Sequence, residues 1–492
     1  VSLEESVPLI VTPAAGPARG GKLGLFLKLG YGTGQFVESL PTTLMNTFFF
    51  FYVTNVCGLS GSLTGLAMFL ALAIDAVADP VVGSISDNLR TRWGRRLPAM
   101  AISLLPVAVS IALLFSIPPL GGMALFAYTL ALLLTFRIAL SGFIIPYMSL
   151  GAELSNDYDE RSTIVAFRVI FAMLATLAAS VMGFGLFLNG PKGLLDHANY
   201  LQFGWSSAGI VVGGGAIALI ASLRALPRLA VTTPATGALI PRLYKEVREV
   251  FANRSFRLLF TGILVFFVGL GVVQTLSLDG SKYFWGLSVD QMKAVAISIV
   301  GGLALGLPIA FLLIGRIEKR TIVLAGLAVV CLVAAVPNLA EILGFIPPGV
   351  PLHAHILMIA GVFTGIVTTL VAIAFQSAMA DAVDEHEDMF GTRREGLYFA
   401  SLSFAGKAAT GLGSLVSGFL LDAIHFPSQR IASGANVVIP HDVWRNLGLI
   451  VGPIGVLIAF CSIVFFWQYR LDRTEHAAIQ SRLAVRRRPA GA

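Results

Sequence analysis

Long apolar runs, separated by charged residues, Pro or Gly, cover residues 29–56, 61–86, 97–117, 121–149, 160–188, 203–223, 257–281, 289–315, 320–345, 352–380, 394–424 and 446–469 of this chain. A helix that crosses a bilayer needs about 20 apolar residues at a rise of about 1.5 Å each. Each run therefore predicts one transmembrane helix. The runs are too long for membrane strands and lack an alternation of period two. The longest connection, residues 224–256, is rich in Arg and Lys and divides the runs evenly. The chain reads as an all-α membrane protein of twelve transmembrane helices. Its predicted parts are an N-terminal segment over 1–28, a six-helix bundle over 29–223, a basic linker over 224–256, a second six-helix bundle over 257–469 and a basic tail over 470–492.

Composition agrees with a lipid solvent. Hydrophobic residues make up 56% of the chain and charged residues 12%, against about 25% charged in soluble domains. With both ends placed in the cytoplasm, 26 of the 34 Lys and Arg fall in cytoplasmic loops and tails, 5 outside (Lys192, Lys282, Lys293, Arg430, Arg445) and 3 within helices. That asymmetry sets the expected orientation in a bacterial-type inner membrane. It also accounts for the net charge of +7 without a nucleic-acid partner. The tail, with Arg486, Arg487 and Arg488, is expected to lie against anionic headgroups. Cys57, Cys331 and Cys461 stand singly in apolar stretches and read as packing residues. No short apolar leader with a cleavage site is evident. P-loop, GxSxG, HExxH and paired-His motifs are missing from the sequence, so a transporter is expected rather than an enzyme. No cofactor and no obligate partner are expected; a monomer is the default.

Ionisable side chains in the bilayer core are expensive enough to mark function. Glu38, Asp75, Asp79, Arg137, Arg168 and Lys407 all fall in one slab, roughly 8–18 Å from the cytoplasmic face. Transporters of this kind bind substrate and coupling ion near that depth. Asp75 and Asp79 are four residues apart, so both carboxylates leave one helix face. They hold a cation between them, or one of them takes a proton; a pair that only salt-bridges neighbouring helices is the alternative. Arg137, one turn before Ser141, is either a guanidinium fork for a substrate carboxylate or phosphate or an internal partner of Asp75 or Glu38.

Several motifs follow one another in order. Tyr31-Gly32-Thr33-Gly34 opens the first run, Asp75-Ala76-Val77-Ala78-Asp79-Pro80 lies in the second, and Gly83-Ser84-Ile85-Ser86-Asp87 precedes Arg92-Trp93-Gly94-Arg95-Arg96. Ile145-Pro146-Tyr147, Gly151-Ala152-Glu153-Leu154, Asn253-Arg254-Ser255-Phe256 and Ala380-Asp381-Ala382-Val383-Asp384, with Arg393, Glu395, Gly396 and Lys407, come later. From about residue 22 to 470 the chain resembles the glycoside-pentoside-hexuronide:cation symporter family of the major facilitator superfamily, and the loop after the second run is similar to that superfamily's signature.

The resemblance implies a major facilitator fold of two six-helix halves, alternating access, and uptake of a sugar or glycoside coupled to H⁺ or Na⁺. It implies that Asp75 and Asp79 bind the coupling ion, with Ser141 where the family has Thr; the two carboxylates are metal ligands only if that ion is Na⁺. It puts Arg168 and Lys407 near substrate and ion; Arg137 has no matched counterpart in the family, and it and Glu38 are further substrate-site candidates by their depth in the membrane. Asp87, Arg95 and Arg96, together with Asp381, Asp384 and Arg393, would form gates of breakable ion pairs. The departures from the family are specific. Ala78 stands where a ligating Asn is usual, Ser39 and Ile144 replace sugar-binding Asp residues, and Met148 and Ala372 replace Trp. Glu38 points about 100° away from Ser39 around its helix. An anionic substrate such as a hexuronide fits this pattern, and a lysolipid or other amphiphile carried on the same scaffold is the alternative.

Overall fold

A computed structural model describes residues 23–89, 91–155, 157–190, 192–225, 248–313, 316–346, 352–392, 394–435, 437–469, 471 and 473–486. Among these residues, eleven helices are each long and apolar enough to cross a membrane. The first span, α1 over 25–55, completes a twelve-helix arrangement. It is not one continuous α-helix, because a 3-10 turn at Thr33–Gln35 and a π turn at Met45–Phe49 interrupt it. The other spans are α2 Gly61–Asn88, α3 Leu97–Leu114, α4 Gly122–Glu153, α5 Tyr158–Val181, α6 His197–Ala225, α7 Arg254–Thr275, α8 Val289–Leu313, α9 Lys319–Ile342, α10 Leu352–Phe390 and α11 Glu395–Ala423. Span α12 begins at His441–Leu449 and continues through a π turn to Gln468. A further helix, α13, covers Arg473–Arg486.

Polar caps set several helix starts. The side chains of Ser60, Asp157 and Asn253 accept from the backbone N–H groups of Leu63, Glu160 and Phe256, satisfying donors that a helix N-terminus leaves open. The Asn253 motif is thus the N-cap of α7. Helices run past the apolar blocks where a charge finds a partner. Lys28 lies within α1 because Glu160 sits 3.2 Å away. Likewise α10 extends ten residues beyond its apolar block and carries Asp381 and Asp384 as helical residues, not loop residues.

The halves meet chiefly where α2 packs on α11, with a second contact between α5 and α8. Small residues permit the first crossing. A Cβ on Gly61 would lie 2.7 Å from the Gly418 carbonyl, and one on Gly65 would collide with Ser414. These positions lie on the face opposite the basic loop that carries Arg92, Arg95 and Arg96. On that face the Asp422 carboxylate accepts from the N–H groups of Gly61 and Ser62 at 2.9 and 2.8 Å. Asn55 donates to Asp279 at 2.7 Å, and Phe51 stacks on Tyr283. The opposite face is closed by these contacts.

Three predicted parts fall partly outside the described residues: 1–22 of the N-terminal segment, 226–247 of the linker, and 470, 472 and 487–492 of the tail. The described part of the tail, α13, packs against the acidic end of α10. Ile479 and Leu483 of α13 are buried, and Arg482 and Arg486 pair with Asp388 of α10 at 2.7 and 3.3 Å. The hydrogen bond that Arg482 donates to Asp388 holds its guanidinium above its ordinary pKa. The acidic end of α10 thus supplies a counter-charge to these two half-exposed arginines.

Candidate substrate and cation site

Toward the basic-loop end of the N-terminal half, α1 and α4 are clamped by two tyrosines. Tyr31 donates to the Tyr147 carbonyl at 2.6 Å and Tyr147 to the Tyr31 carbonyl at 2.9 Å, with the rings stacked at 4.5 Å. Gly34 leaves room for this pair, since a Cβ there would meet the Tyr147 ring at 2.5 Å. The Tyr31 and Tyr147 motifs are therefore one structural device, and it fixes the register of α1 against α4.

That register places Glu38 across from Arg137 and Ser141 on the wall of a cavity of about 470 Å³ between the halves. Small-molecule sites occupy about 300–1,000 Å³. Asp75, Asp79 and Lys407 also line it. Asp75 is 2% exposed, and Pro80, lacking an N–H, follows Asp79 directly within α2. Lys407 reaches from α11 and puts its Nζ 2.8 Å from Asp75 Oδ2 and in contact with Asp79 Oδ2. The Ser141 hydroxyl lies 2.8 Å from Asp75 Oδ1 and 2.6 Å from Asp79 Oδ1. One cluster thus joins three helices and both halves.

Its proton count is one short. A hydroxyl has a single hydrogen, so Ser141 can donate to one carboxylate only, although both lie at hydrogen-bond distance. If Asp75 or Asp79 carries a proton, that carboxyl donates to Ser141 Oγ and the hydroxyl donates to the other. Within the hydrogen-bonded cluster itself, two carboxylates against one ammonium leave a surplus negative charge, which the Arg137 guanidinium in the same cavity offsets only from a distance.

Arg137 has a different environment. Its guanidinium lies 5.6 Å from the centre of the Phe136 ring, and its buried Nε has no hydrogen-bond partner. The expected internal partners are engaged elsewhere: Asp75 with Lys407 and Ser141, and Glu38 with the Gln35 amide at 2.5 Å. Arg137 makes no direct ion pair with either among the described residues, although it lies within electrostatic reach of Asp75 and Asp79.

Arg168 is not on the cavity wall. It lies over the Tyr147 ring at 5.4 Å, contacts Met148 Sδ at 3.2 Å and donates to Gln35 Oε1 at 3.4 Å. Gln35 in turn donates to Glu38, so Arg168 stands behind the wall and positions Glu38 through an amide. Ile144 and Met148 line the cavity, Ser39 accepts from Gln35 at 3.3 Å, and Ala372 is exposed away from it.

The expected gates hold elements within one half together. Arg95 and Arg96 pair with Glu153 at 2.6 and 3.3 Å, tying α3 to the end of α4. Asp381 pairs with Lys319 at 2.6 Å, and Asp384 accepts from Gln480 at 2.6 Å and contacts His476 at 3.2 Å. Arg393 and the side chain of Asp87 lie outside the described residues. The named bonds between the halves are instead those of Asn55, Asp422 and Lys407.

Thr42, Asn46, Ser403 and Thr410 also line the cavity and were not among the expected site residues. A signal was present, since Glu38, Thr42 and Asn46 recur every four residues. Ser403 and Thr410 flank Lys407 at spacings of four and three, so each set shares one helix face.

The family described as MFS/sugar transport protein matches residues 30–473. A relative from Escherichia coli named putative glycoside/cation symporter YagG is 23% identical, over 94% of this chain and 96% of its own length. The glucuronide carrier protein homolog of Escherichia coli is 22% identical, over 89% of this chain and 91% of that protein. Among solved structures, a bacterial homolog of the human lysosomal transporter Spinster, inward-facing and unoccupied, matches with a TM-score of 0.61 at 15% identity. That match covers 95% of this chain and 98% of the other and bears on the fold alone.

Proposed function

The chain belongs to the MFS/sugar transport protein family, and from that premise we infer that it is a multi-pass membrane transporter carrying out cation-coupled symport of a sugar or glycoside by alternating access. The relatives' names support symport of this kind. The observation that carries the reading is the Asp75–Asp79–Lys407–Ser141 cluster, drawn from both halves and open to the cavity. We place the protein in a bacterial inner membrane, as a monomer, with the basic face and both ends in the cytoplasm.

The coupling ion in this proposal is a proton. The ammonium of Lys407 already sits between the carboxylates, and Ala78 offers no side-chain oxygen. A sodium ion, which needs several oxygen ligands, would have to displace that ammonium. A proton needs only the position that the single hydrogen of Ser141 leaves open. Asp79, less buried than Asp75, exchanges it with the cavity.

The substrate in this proposal is an anionic glycoside of the hexuronide class. Counted together with Arg168 behind the wall, Glu38, Asp75 and Asp79 balance Arg137, Arg168 and Lys407, and a bound proton then leaves one positive charge in this wider shell that a carboxylate offsets. Arg137 supplies the donors. The charged wall favours a polar solute over a lysolipid, which needs an apolar groove. Binding of a hexuronide and its neutral hexoside to wild type and Arg137→Gln tests this. Loss of a charge-assisted bond, about 2 kcal/mol, should weaken the hexuronide ~30-fold and leave the hexoside unchanged. Equal affinities in wild type would refute the anionic substrate.

A further inference from the structure

Asp279 ends the one-turn helix Ser277–Asp279 after α7, and none of its surface is exposed. Its Oδ1 accepts from Asn55 Nδ2 at 2.7 Å, joining the outer ends of α1 and α7 across the two halves. Two atoms of the pair are buried without a partner, Asp279 Oδ2 and Asn55 Oδ1. Both are acceptors while the carboxylate is ionised, so neither can satisfy the other. A single proton changes this. Protonated Oδ2 becomes a donor and Asn55 Oδ1 an acceptor for it, and a small shift closes a carboxyl–carboxamide pair with two bonds.

The surroundings supply no charge to stabilise an anion. Tyr283 on the following π turn and Tyr200 from α6 are the titratable groups that face Asp279. Thr54, the neighbour of Asn55, accepts from its amide at 3.1 Å. Lys282 lies against the Tyr283 ring and has no ion pair with Asp279 among the described residues.

We propose that Asp279 is a second proton-binding site, distinct from the Asp75–Asp79 cluster, and that its proton keeps the opposite face closed. Separation of α1 from α7 breaks the Asn55 bond and admits water, and a hydrated carboxylate ionises with a pKa of about 4. The closed state therefore binds the proton more tightly than the open state. Closure is favoured fully at acid pH and weakens as pH rises through the closed-state pKa. One proton changes the closed-to-open ratio by at most about tenfold per pH unit. This goes beyond the function proposed above and does not depend on which ion the Asp75–Asp79 cluster binds.

The test is a distance measurement between spin labels on Lys192→Cys and Arg430→Cys, exposed on the opposite face of either half, with Cys57, Cys331 and Cys461 replaced by Ala. Full-length protein in lipid nanodiscs is titrated without substrate from about pH 5 to about pH 9. The short-distance population should dominate at acid pH and give way to a longer one as pH rises. Asp279→Asn, isosteric and uncharged, should stay closed throughout. Asn55→Ala should open more than wild type at acid pH, and Asp79→Asn should keep the wild-type response. Distances independent of pH in wild type, a wild-type response in Asp279→Asn, or an unchanged population in Asn55→Ala would each overturn the proposal. Loss of the response in Asp79→Asn alone would overturn it too, by moving the effect to the other site.

Discussion

Replacement of Asp79 by Asn should uncouple transport without unfolding the protein. In wild type the surplus negative charge of Asp75, Asp79 and Lys407 creates the need for a proton. Asn has nearly the same shape and carries no charge, so the remaining Asp75–Lys407 pair is neutral. The new amide can donate to Ser141 Oγ, and the hydroxyl can donate to Asp75, which satisfies the cluster without a proton. One pH unit is worth about 1.36 kcal/mol per proton, so a gradient of one unit should drive wild type to about tenfold accumulation. The variant should equilibrate at a ratio of about one under the same gradient and retain substrate counterflow, because the halves and cavity persist. The assay is uptake into proteoliposomes with the membrane potential clamped at zero, with counterflow in the same preparation. Accumulation by Asp79→Asn equal to wild type would refute the reasoning.

Ser141→Ala removes the bond that a protonated carboxyl makes to the hydroxyl, about 1 kcal/mol, so the pH profile of uptake should move ~0.7 unit toward acid; no shift, or an alkaline one, would show that the shared hydrogen is irrelevant. Gly65→Leu places a side chain against the backbone of Ser414 and Leu415, where nothing flexible can yield. It should abolish turnover while substrate still binds from the opposite face in right-side-out vesicles, and normal turnover would show that the α2–α11 crossing does not close that face. A hexuronide anion moving with one proton carries no net charge, so its uptake should generate no current across a supported membrane. A sustained inward current would mean a neutral substrate or more than one proton.

Much of this site is legible in the sequence because its key residues are anomalous where they stand. Asp75 and Asp79 are charges four residues apart in an apolar run, and a lone lysine in the eleventh run is equally conspicuous. Their meeting with Ser141 is a contact between segments far apart in the chain, and local periodicity does not specify it. Family resemblance, not spacing, points to Ser141. Arg168 shows the limit of reading depth alone: it lies at the right level and still faces Gln35 and Tyr147 rather than the cavity. The closure by Asn55, Asp279 and Asp422 was missed because these residues sit at run ends, where a polar side chain is unremarkable. Only the crossing of α1 with α7 and of α2 with α11 gives them partners. The pairing of Arg482 and Arg486 with the acidic end of α10, about a hundred residues earlier in the chain, is likewise not specified by local pattern.

The account rests on a proton-binding cluster built from Asp75, Asp79, Ser141 and Lys407, and substrate-driven proton movement tests it most directly. Purified protein in proteoliposomes free of sodium is given an inward gradient of a hexuronide, and internal pH is followed with a trapped dye. The account predicts internal acidification in wild type, abolished by a protonophore and absent in Asp79→Asn. Substrate entry without acidification, restored only when sodium is added, would contradict it.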